Sequence, residues 1–284
     1  MVGHYQNWKR YNSAMITYFS NRLGDAALLL FFTYLIVSGT TGLLSGLMVT
    51  PVWGMLLVLA MMTKRAQWPL SPWLPEAISA PTPVSSLVHS STLVTAGVLL
   101  VMKRPVIGLP LGLMLLLGCL TITIAGSMAL LEKDYKKVVA LSTLSQVAFL
   151  LCLVGLGYWW LSMFHLVVHA FFKRLLFFNV GVILTGALSM QDWRYYRNTS
   201  AVLPILLGML CLLAIRGMLL LSGFITKEAV VYCYSRGTLG WCKYVLFIGA
   251  LRLTLGYSLK MVSYCILCSN SSTSGRASGG LGSG

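Results

Sequence analysis

The stretch LPLGLMLLLGCLTITIAGSMALL, residues 109–131, is followed after a short polar break by KKVVALSTLSQVAFLLCLVGL, residues 136–156. Each stretch has the length of about twenty residues that an α-helix needs to cross roughly 30 Å of hydrocarbon. Lipid cannot hydrogen-bond a free backbone amide, so these stretches must be helical, and they lack the alternating pattern of membrane β-strands. They therefore predict two transmembrane helices joined by a short loop.

The same pattern extends along the chain. Hydrophobic residues make up 57% of the 284 residues and charged residues only 10%, which excludes an ordinary soluble domain. We expect an all-α fold, a polytopic transmembrane helix bundle of about eight helices. A polar segment at residues 1–13 precedes the transmembrane domain at residues 14–267, and a low-complexity, disordered tail is expected at residues 268–284. The predicted spans are residues 14–37, 43–80, 84–102, 109–131, 136–156, 160–188, 202–235 and 241–267.

Two of these spans are too long for a single crossing and carry polar residues in the middle. Segment 43–80 contains Lys64, and segment 202–235 contains Gly223 and Lys227. A transmembrane helix tolerates such a break only where the freed backbone groups face protein or water. Both segments are therefore predicted to be helices broken mid-membrane.

The basic residues of the loops are unevenly divided between the two sides of the bundle. The side that holds the N-terminus carries Lys9, Arg10, Lys133, Lys136, Lys137, Arg194, Arg197 and Arg276. The other side carries Lys103, Arg104, Arg236 and Lys243. Basic loop residues favour the cytoplasmic or matrix side, so both termini are predicted to lie there.

Three lysines lie within the predicted spans: Lys64, Lys173 and Lys227. A lysine at the centre of a membrane helix costs about 2.5–3.5 kcal/mol, so the three together oppose insertion by roughly 8–10 kcal/mol. The alternatives are side chains that extend from a helix end to the surface, and misplaced span boundaries. A segment that only filled lipid would not carry these lysines, which favours a function for them.

Lys173 belongs to the stretch FHLVVHAFFKRLLF, in which His165, His169 and Lys173 recur every four residues. They therefore share one helix face, each about 6 Å from the next. A zinc pair is the alternative, but the glutamate of an HExxH motif and a third ligand are lacking. A row of titratable groups inside a bilayer favours a proton relay.

The remaining candidates are less distinctive. Lys64 and Lys227 each lie at a predicted break, where free carbonyl groups and half-helix dipoles can stabilise a charge. His89, among hydroxyl side chains, is equally compatible with a relay and with a hydrogen-bonded core residue. The net charge of +15 does not predict nucleic-acid binding, because several cations lie within apolar segments. Without a nucleotide fingerprint or a cysteine cluster, no bound cofactor or metal is expected.

Ordered motifs run along nearly the whole chain. They are SNRLGD (20–25), TKRAQWPLSPWLPEAISAPTPVSSLVHSSTLVTAG (63–97), DYKKVVALSTLSQ (134–146), FHLVVHAFFKRLLFF (164–178), SMQDWR (189–194) and RGMLLLSGFITKE (216–228). Together they resemble the subunit 5 family of mitochondrial NADH:ubiquinone oxidoreductase, respiratory complex I, whose members are antiporter-like membrane subunits.

The resemblance implies a proton-translocating membrane-arm subunit of the mitochondrial inner membrane, surrounded by lipid and by other membrane-arm subunits. It implies no redox group in the chain itself, since NADH, FMN, the iron–sulfur clusters and ubiquinone belong to the rest of the complex. It also implies a proton relay through residues matched by position, with Glu228 where the family usually has aspartate. These residues are Lys64, His89, His165, His169, Lys173, Lys227 and Glu228.

The chain departs from this family in two respects. Relatives begin with several more helices, one of which carries a glutamate that partners the first lysine, so Lys64 is expected to lack its carboxylate. Arginines also lie at positions where relatives tend to have serine or another small residue. These are Arg10, Arg65, Arg174, Arg216 and Arg252. We hypothesise that they are AGA or AGG codons, which invertebrate mitochondria read as serine or glycine.

Two other functions are compatible with these residues. The large subunit of an Mrp-type sodium/proton antiporter shares the broken-helix lysines and the central histidines. A structural fragment that packs in the membrane without conducting protons is the other alternative.

Overall fold

The computed structural model describes residues 8–38, 51–78, 82–87, 97, 99, 111–186, 192, 202–218, 221–236 and 241–277. Within these ranges the extended structure is limited to one isolated β-bridge, between Asp134 and Asp192. The helices are α1 (Trp8–Val37), α2 (Pro51–Lys64), α3 (Trp73–Ala77), α4 (Thr82–Leu87), α5 (Leu111–Leu131), α6 (Tyr135–Gly155), α7 (Trp159–Gly186), α8 (Val202–Arg216), α9 (Ser222–Arg236) and α10 (Trp241–Ala277). The predicted all-α class is confirmed.

Apart from span 84–102, the predicted membrane spans coincide with helices in the described ranges. Four helices of the described ranges, α1, α5, α6 and α7, are long and apolar enough to cross a membrane. The shorter apolar helices α2 and α8 are the first halves of the two spans that the sequence predicts to be interrupted. Both interruptions are confirmed, because α2 ends at Lys64 before α3 and α8 ends at Arg216 before α9. The fold is a polytopic membrane helix bundle.

Helix α6 forms the centre of the bundle. It packs against α5 and α7 and also contacts α3 and α10, and every residue from Val138 to Val154 is buried. This buried helix is nevertheless polar over part of its length: the hydroxyls of Ser142 and Thr143 donate to carbonyls one turn earlier, at 2.6 and 2.7 Å. Such bonds satisfy polar side chains away from water. The bundle therefore contains a polar patch on the most deeply buried of the four long apolar helices in the described ranges.

The terminal helices extend beyond the predicted domain limits. Helix α1 begins at Trp8, inside the polar segment 1–13, and α10 continues to Ala277, inside the tail that was expected to be disordered. Once a helix exists, each added residue contributes one more hydrogen bond, so a polar extension can prolong an apolar helix. Most of the predicted span 84–102 lies outside the described residues.

Candidate functional site

One face of α7 carries three buried titratable side chains. His165, His169 and Lys173 are only 4%, 3% and 0% exposed. The two imidazole rings are 6.3 Å apart between centroids and inclined by 21°, in agreement with the four-residue spacing. The row therefore faces the protein interior, away from lipid and from the water outside.

Lys173 contacts the polar patch of α6. Its ammonium group donates to the Ser142 hydroxyl and, at 3.5 Å, to the Val139 carbonyl. Among the described residues, the ion pairs involve other cations, and Lys173 is held by neutral oxygen atoms. Burial of an ammonium group without a counter-ion is costly, so packing alone does not account for this lysine.

A hydroxyl group connects the row on α7 to α9. His165 Nδ1 lies 3.0 Å from Oγ1 of Thr226, a fully buried residue that directly precedes Lys227. Within the described part of the chain, His165 Nε2 and both ring nitrogens of His169 have no hydrogen-bond partner. An imidazole nitrogen can accept or donate a proton, depending on its tautomer. The row thus offers three buried nitrogen atoms for proton exchange, two of them on His169, one turn from Lys173, and one on His165, two turns from it.

The second broken helix holds its lysine with backbone carbonyls. Lys227 Nζ donates to the carbonyl oxygens of Ile215, at 2.7 Å, and Arg216, at 3.0 Å, at the end of α8. The last carbonyls of a helix lack partners within it and carry the negative end of its dipole. The contact that the sequence predicts between Lys227 and the carbonyls of the break is therefore present.

Two glycines allow the half-helices to meet at this break. Gly217 follows α8 with a φ of +81°, a conformation that residues with a Cβ rarely adopt. A Cβ on Gly223 would lie 2.2 Å from the carbonyl oxygen of Ala214. Their small size lets α9 begin beside the end of α8, which brings Lys227 within reach of the carbonyls.

The first broken helix holds its lysine in a different way. Lys64, the last residue of α2, forms an ion pair with Asp25 of α1. The expectation that Lys64 lacks a carboxylate is therefore wrong, because α1 supplies one from within the chain. Asp25 ends the SNRLGD motif, but no local pattern indicates that two residues 39 positions apart meet.

A cavity of about 580 Å³ lies where α5 ends and α6 begins. Glu132, Asp134 and Lys137 are among its lining residues, and Lys137 pairs with Asp134 at 3.0 Å. The cavity also reaches Thr121, whose hydroxyl donates to the side-chain oxygen of Gln67, just after the first break. Apolar side chains, among them Leu141 and Leu144, line the cavity beside these polar groups, and it extends from the start of α6 towards the first break.

Comparisons with known proteins show the family of this chain. A family model described as NADH:quinone oxidoreductase/Mrp antiporter, transmembrane region, matches residues 1–254. The chain belongs to this family. A relative from Aedes aegypti named NADH-ubiquinone oxidoreductase chain 5 is 40% identical over 275 residues, and one of the same name from Caenorhabditis elegans is 39% identical over 269 residues.

These relatives are longer than the chain. The matches cover 93% and 92% of this chain but only 47% and 50% of the relatives, so the chain spans about half of their length. Among solved structures, the Mrp complex from Dietzia sp. DQ12-45-1b is similar with a TM-score of 0.77 and 26% identity. That match covers 95% of this chain and 34% of the other.

Two further predicted site residues are Glu228 and His89. Glu228 is exposed, whereas its neighbour Lys227 turns towards α8. His89 lies outside the described residues. Sequence reasoning missed Asp25, Ser142 and Thr226. For the two hydroxyl residues the available signal was a polar side chain within an otherwise apolar span or beside a candidate lysine.

Arg65, one of the arginines for which the codon hypothesis predicts a smaller residue, is fully buried beside Lys64. None of its three guanidinium nitrogens has a hydrogen-bond partner among the described residues. Arg174 and Arg252, by contrast, are exposed. An unpartnered buried guanidinium is costly, so this geometry supports the hypothesis that a smaller residue occupies position 65 in the mature protein.

Proposed function

We propose that this chain is the proton-translocating part of a membrane-arm subunit of respiratory complex I. The observation that supports the proposal is the buried row of His165, His169 and Lys173, which Thr226 joins to the half-helix bearing Lys227. Protons pass along this row between Lys173, beside Ser142 of α6, and Lys227 at the second break. The row crosses the interior of the bundle, where an ionisable side chain is costly and therefore indicates a functional site such as a proton relay.

Lys64, His89 and Glu228 complete the proposed path. Lys64 provides a positive charge at the first break, where it forms an ion pair with Asp25. His89 follows it in the chain, and Glu228 lies beside Lys227 on α9. These three roles rest on the family resemblance, and the cavity beside α6 is the route by which protons reach the first break from one end of the bundle.

Electrostatic coupling between neighbouring charges drives the transfer. A unit charge that arrives about 7 Å from a second one changes its energy by roughly 2.4 kcal/mol at an effective dielectric constant of about 20. This is comparable with the work of moving one proton against about 100 mV of membrane potential, roughly 2.3 kcal/mol. A charge change at one lysine can therefore expel or attract a proton at the next.

The electron-transfer chemistry belongs to other parts of the complex. NADH, FMN, iron–sulfur clusters and ubiquinone are held elsewhere, and their reaction supplies the charge changes that reach this chain. The chain lies in the mitochondrial inner membrane among other membrane-arm subunits and lipid, with both described ends towards the matrix. The excess of basic loop residues on that side supports this orientation.

An Mrp-type sodium/proton antiporter subunit is the second candidate. The similarity to the Mrp complex from Dietzia favours it, because that match extends over nearly the whole of this chain. Co-purification with flavin and iron–sulfur subunits supports the complex I function. Sodium-driven proton exchange without NADH oxidation supports the antiporter.

The test of the proposal uses the full-length subunit in the assembled complex. Replacing Lys173 or Lys227 by methionine leaves insertion intact, because each change removes a charge from the membrane interior. NADH-driven proton uptake by reconstituted vesicles is then abolished. Unaltered proton uptake in either variant removes that lysine from the path.

A further inference from the structure

Thr226 joins the row on α7 to α9 through its hydroxyl group, whose own part in proton transfer follows from its two contacts. Its side chain is fully buried between α7 and α9, on the helix turn that carries Lys227. Its hydroxyl oxygen has two neighbours, His165 Nδ1 at 3.0 Å and the carbonyl oxygen of Gly223 at 3.2 Å. A hydroxyl has one hydrogen to donate, so it can serve only one of these acceptors at a time.

The two positions of this hydrogen correspond to two tautomers of the imidazole ring. When the Thr226 hydroxyl donates to Gly223, the contact with His165 requires a hydrogen on Nδ1, which leaves Nε2 with its lone pair. When the hydroxyl donates to Nδ1 instead, the hydrogen of the neutral ring lies on Nε2. Nε2 has no partner among the described residues, so it is available for exchange in either state.

We propose that Thr226 is a member of the relay and passes a proton between His165 and the side of α9 that bears Lys227. This inference rests on the proposed function of the row. A proton that arrives at Nε2 gives an imidazolium, which releases its Nδ1 hydrogen to the Thr226 oxygen. The hydroxyl gives up its own hydrogen to Lys227 when that side chain is a neutral amine, so one proton enters at Nε2, one leaves as part of the Lys227 ammonium group, and the ring is again neutral.

The geometry of α9 couples this step to the second break. Thr226, Gly223 and Lys227 lie within about one helical turn of one another. A shift of α9 that draws Lys227 away from the carbonyls of Ile215 and Arg216 also changes the contact between Thr226 and His165. One movement of α9 therefore both releases Lys227 from the carbonyls and changes the hydrogen bond between Thr226 and His165.

The test compares two buried threonines that have different partners. Thr143 on α6 is as fully buried as Thr226, but its hydroxyl donates to the Ala140 carbonyl of its own helix. The variants Thr226→Val, Thr226→Ser and Thr143→Val are introduced into the full-length subunit of the assembled complex. Proton translocation by reconstituted vesicles and NADH oxidation are measured on the same preparations.

We expect Thr226→Val to slow proton translocation by about tenfold or more, the effect of raising a barrier by ~1.4 kcal/mol. Thr226→Ser keeps a hydroxyl and retains translocation within about twofold, as does Thr143→Val. Wild-type translocation in Thr226→Val overturns the inference. So does an equal loss in Thr226→Val and Thr143→Val, or a failure of serine to restore transport.

Lys227→Met in the same assay separates this inference from the proposed function. If Lys227→Met abolishes translocation and Thr226→Val does not, only the role of Thr226 is overturned. If Lys227→Met translocates normally, the proposed function fails whatever the threonine variants do. If Thr226→Val does not assemble, Thr226→Ala replaces it, because alanine removes the same hydroxyl without placing a methyl group against His165, and the same outcomes decide.

Discussion

The two broken helices of the bundle stabilise their lysines by different means. At the first break, Lys64 ends α2 and pairs with the carboxylate of Asp25 on α1. At the second, Lys227 lies inside α9 and caps two backbone carbonyls at the end of α8. One lysine therefore faces a full unit of opposite charge on a side chain, and the other faces the partial charge of a helix dipole.

This difference determines how each site can fail. The charge on Lys64 depends on one neighbouring side chain, which a single substitution removes. The carbonyls that hold Lys227 belong to the backbone, so they are lost only if the two half-helices no longer meet. The first break is thus sensitive to charge, and the second to the close approach of the helices.

The largest expected effect concerns the packing of the second break. In Gly223→Ala the new Cβ meets the Ala214 carbonyl oxygen at 2.2 Å, so α9 must move away from α8. We expect a loss of stability of about 1–3 kcal/mol and the loss of proton translocation, measured by thermal unfolding of the complex and by vesicle assays. Gly249→Ala on α10 is the control, since a Cβ there has nothing within 4 Å. Equal stability of the two variants contradicts the account of the break.

The next test concerns the arginine beside Lys64. Arg65 is fully buried, and its guanidinium group has no hydrogen-bond partner among the described residues. A charge at bilayer depth costs about 2.5–3.5 kcal/mol of insertion free energy. We expect that peptides of the native protein that contain position 65 have the mass that corresponds to serine or glycine at this position. Mass spectrometry of the purified subunit measures this directly. The mass of arginine, or CGN codons in the gene, would end the codon hypothesis.

A smaller effect is expected at the first break. Asp25→Asn leaves the Lys64 charge without its partner, and because Asp25 is partly exposed the loss of stability is about 1 kcal/mol. Proton translocation falls, and Lys64→Met in the same chain recovers the lost stability because no unpaired charge remains. Arg22→Gln is the control, since Arg22 is mostly exposed and lies 4.0 Å from the same carboxylate. The pairing is refuted if Asp25→Asn and Arg22→Gln are indistinguishable.

The smallest expected effect is on a lysine that caps a helix end but is not part of the proposed proton path. Lys260 on α10 also caps a helix end, with its ammonium group 2.6 Å from the carbonyl oxygens of Leu130 and Glu132. It lies apart from the row on α7, so Lys260→Met lowers stability by about 0.3–1 kcal/mol and leaves translocation unchanged. The unfolding temperature and the vesicle assay of this variant are compared with those of Lys227→Met. Loss of transport in both variants would mean that capping alone explains Lys227.

The sequence by itself determined the membrane class, the two interrupted spans and the shared face of His165, His169 and Lys173. Each of these depends on residues within a few helical turns, and the periodicity of the helix converts their spacing directly into geometry. The contact of Lys227 with nearby carbonyls followed from the same local reasoning, because the break lies within a dozen residues of the lysine.

Only the tertiary structure decided which groups the lysines and histidines face across helices. Asp25 meets Lys64 from 39 positions away, and Thr226 meets His165 from 61 positions away. Such contacts depend on how whole helices pack, and in a membrane one apolar face has no hydrophobic preference for another over lipid. Close approach at small residues and a few polar contacts decide the pairing, and these become visible only when the helices are placed together.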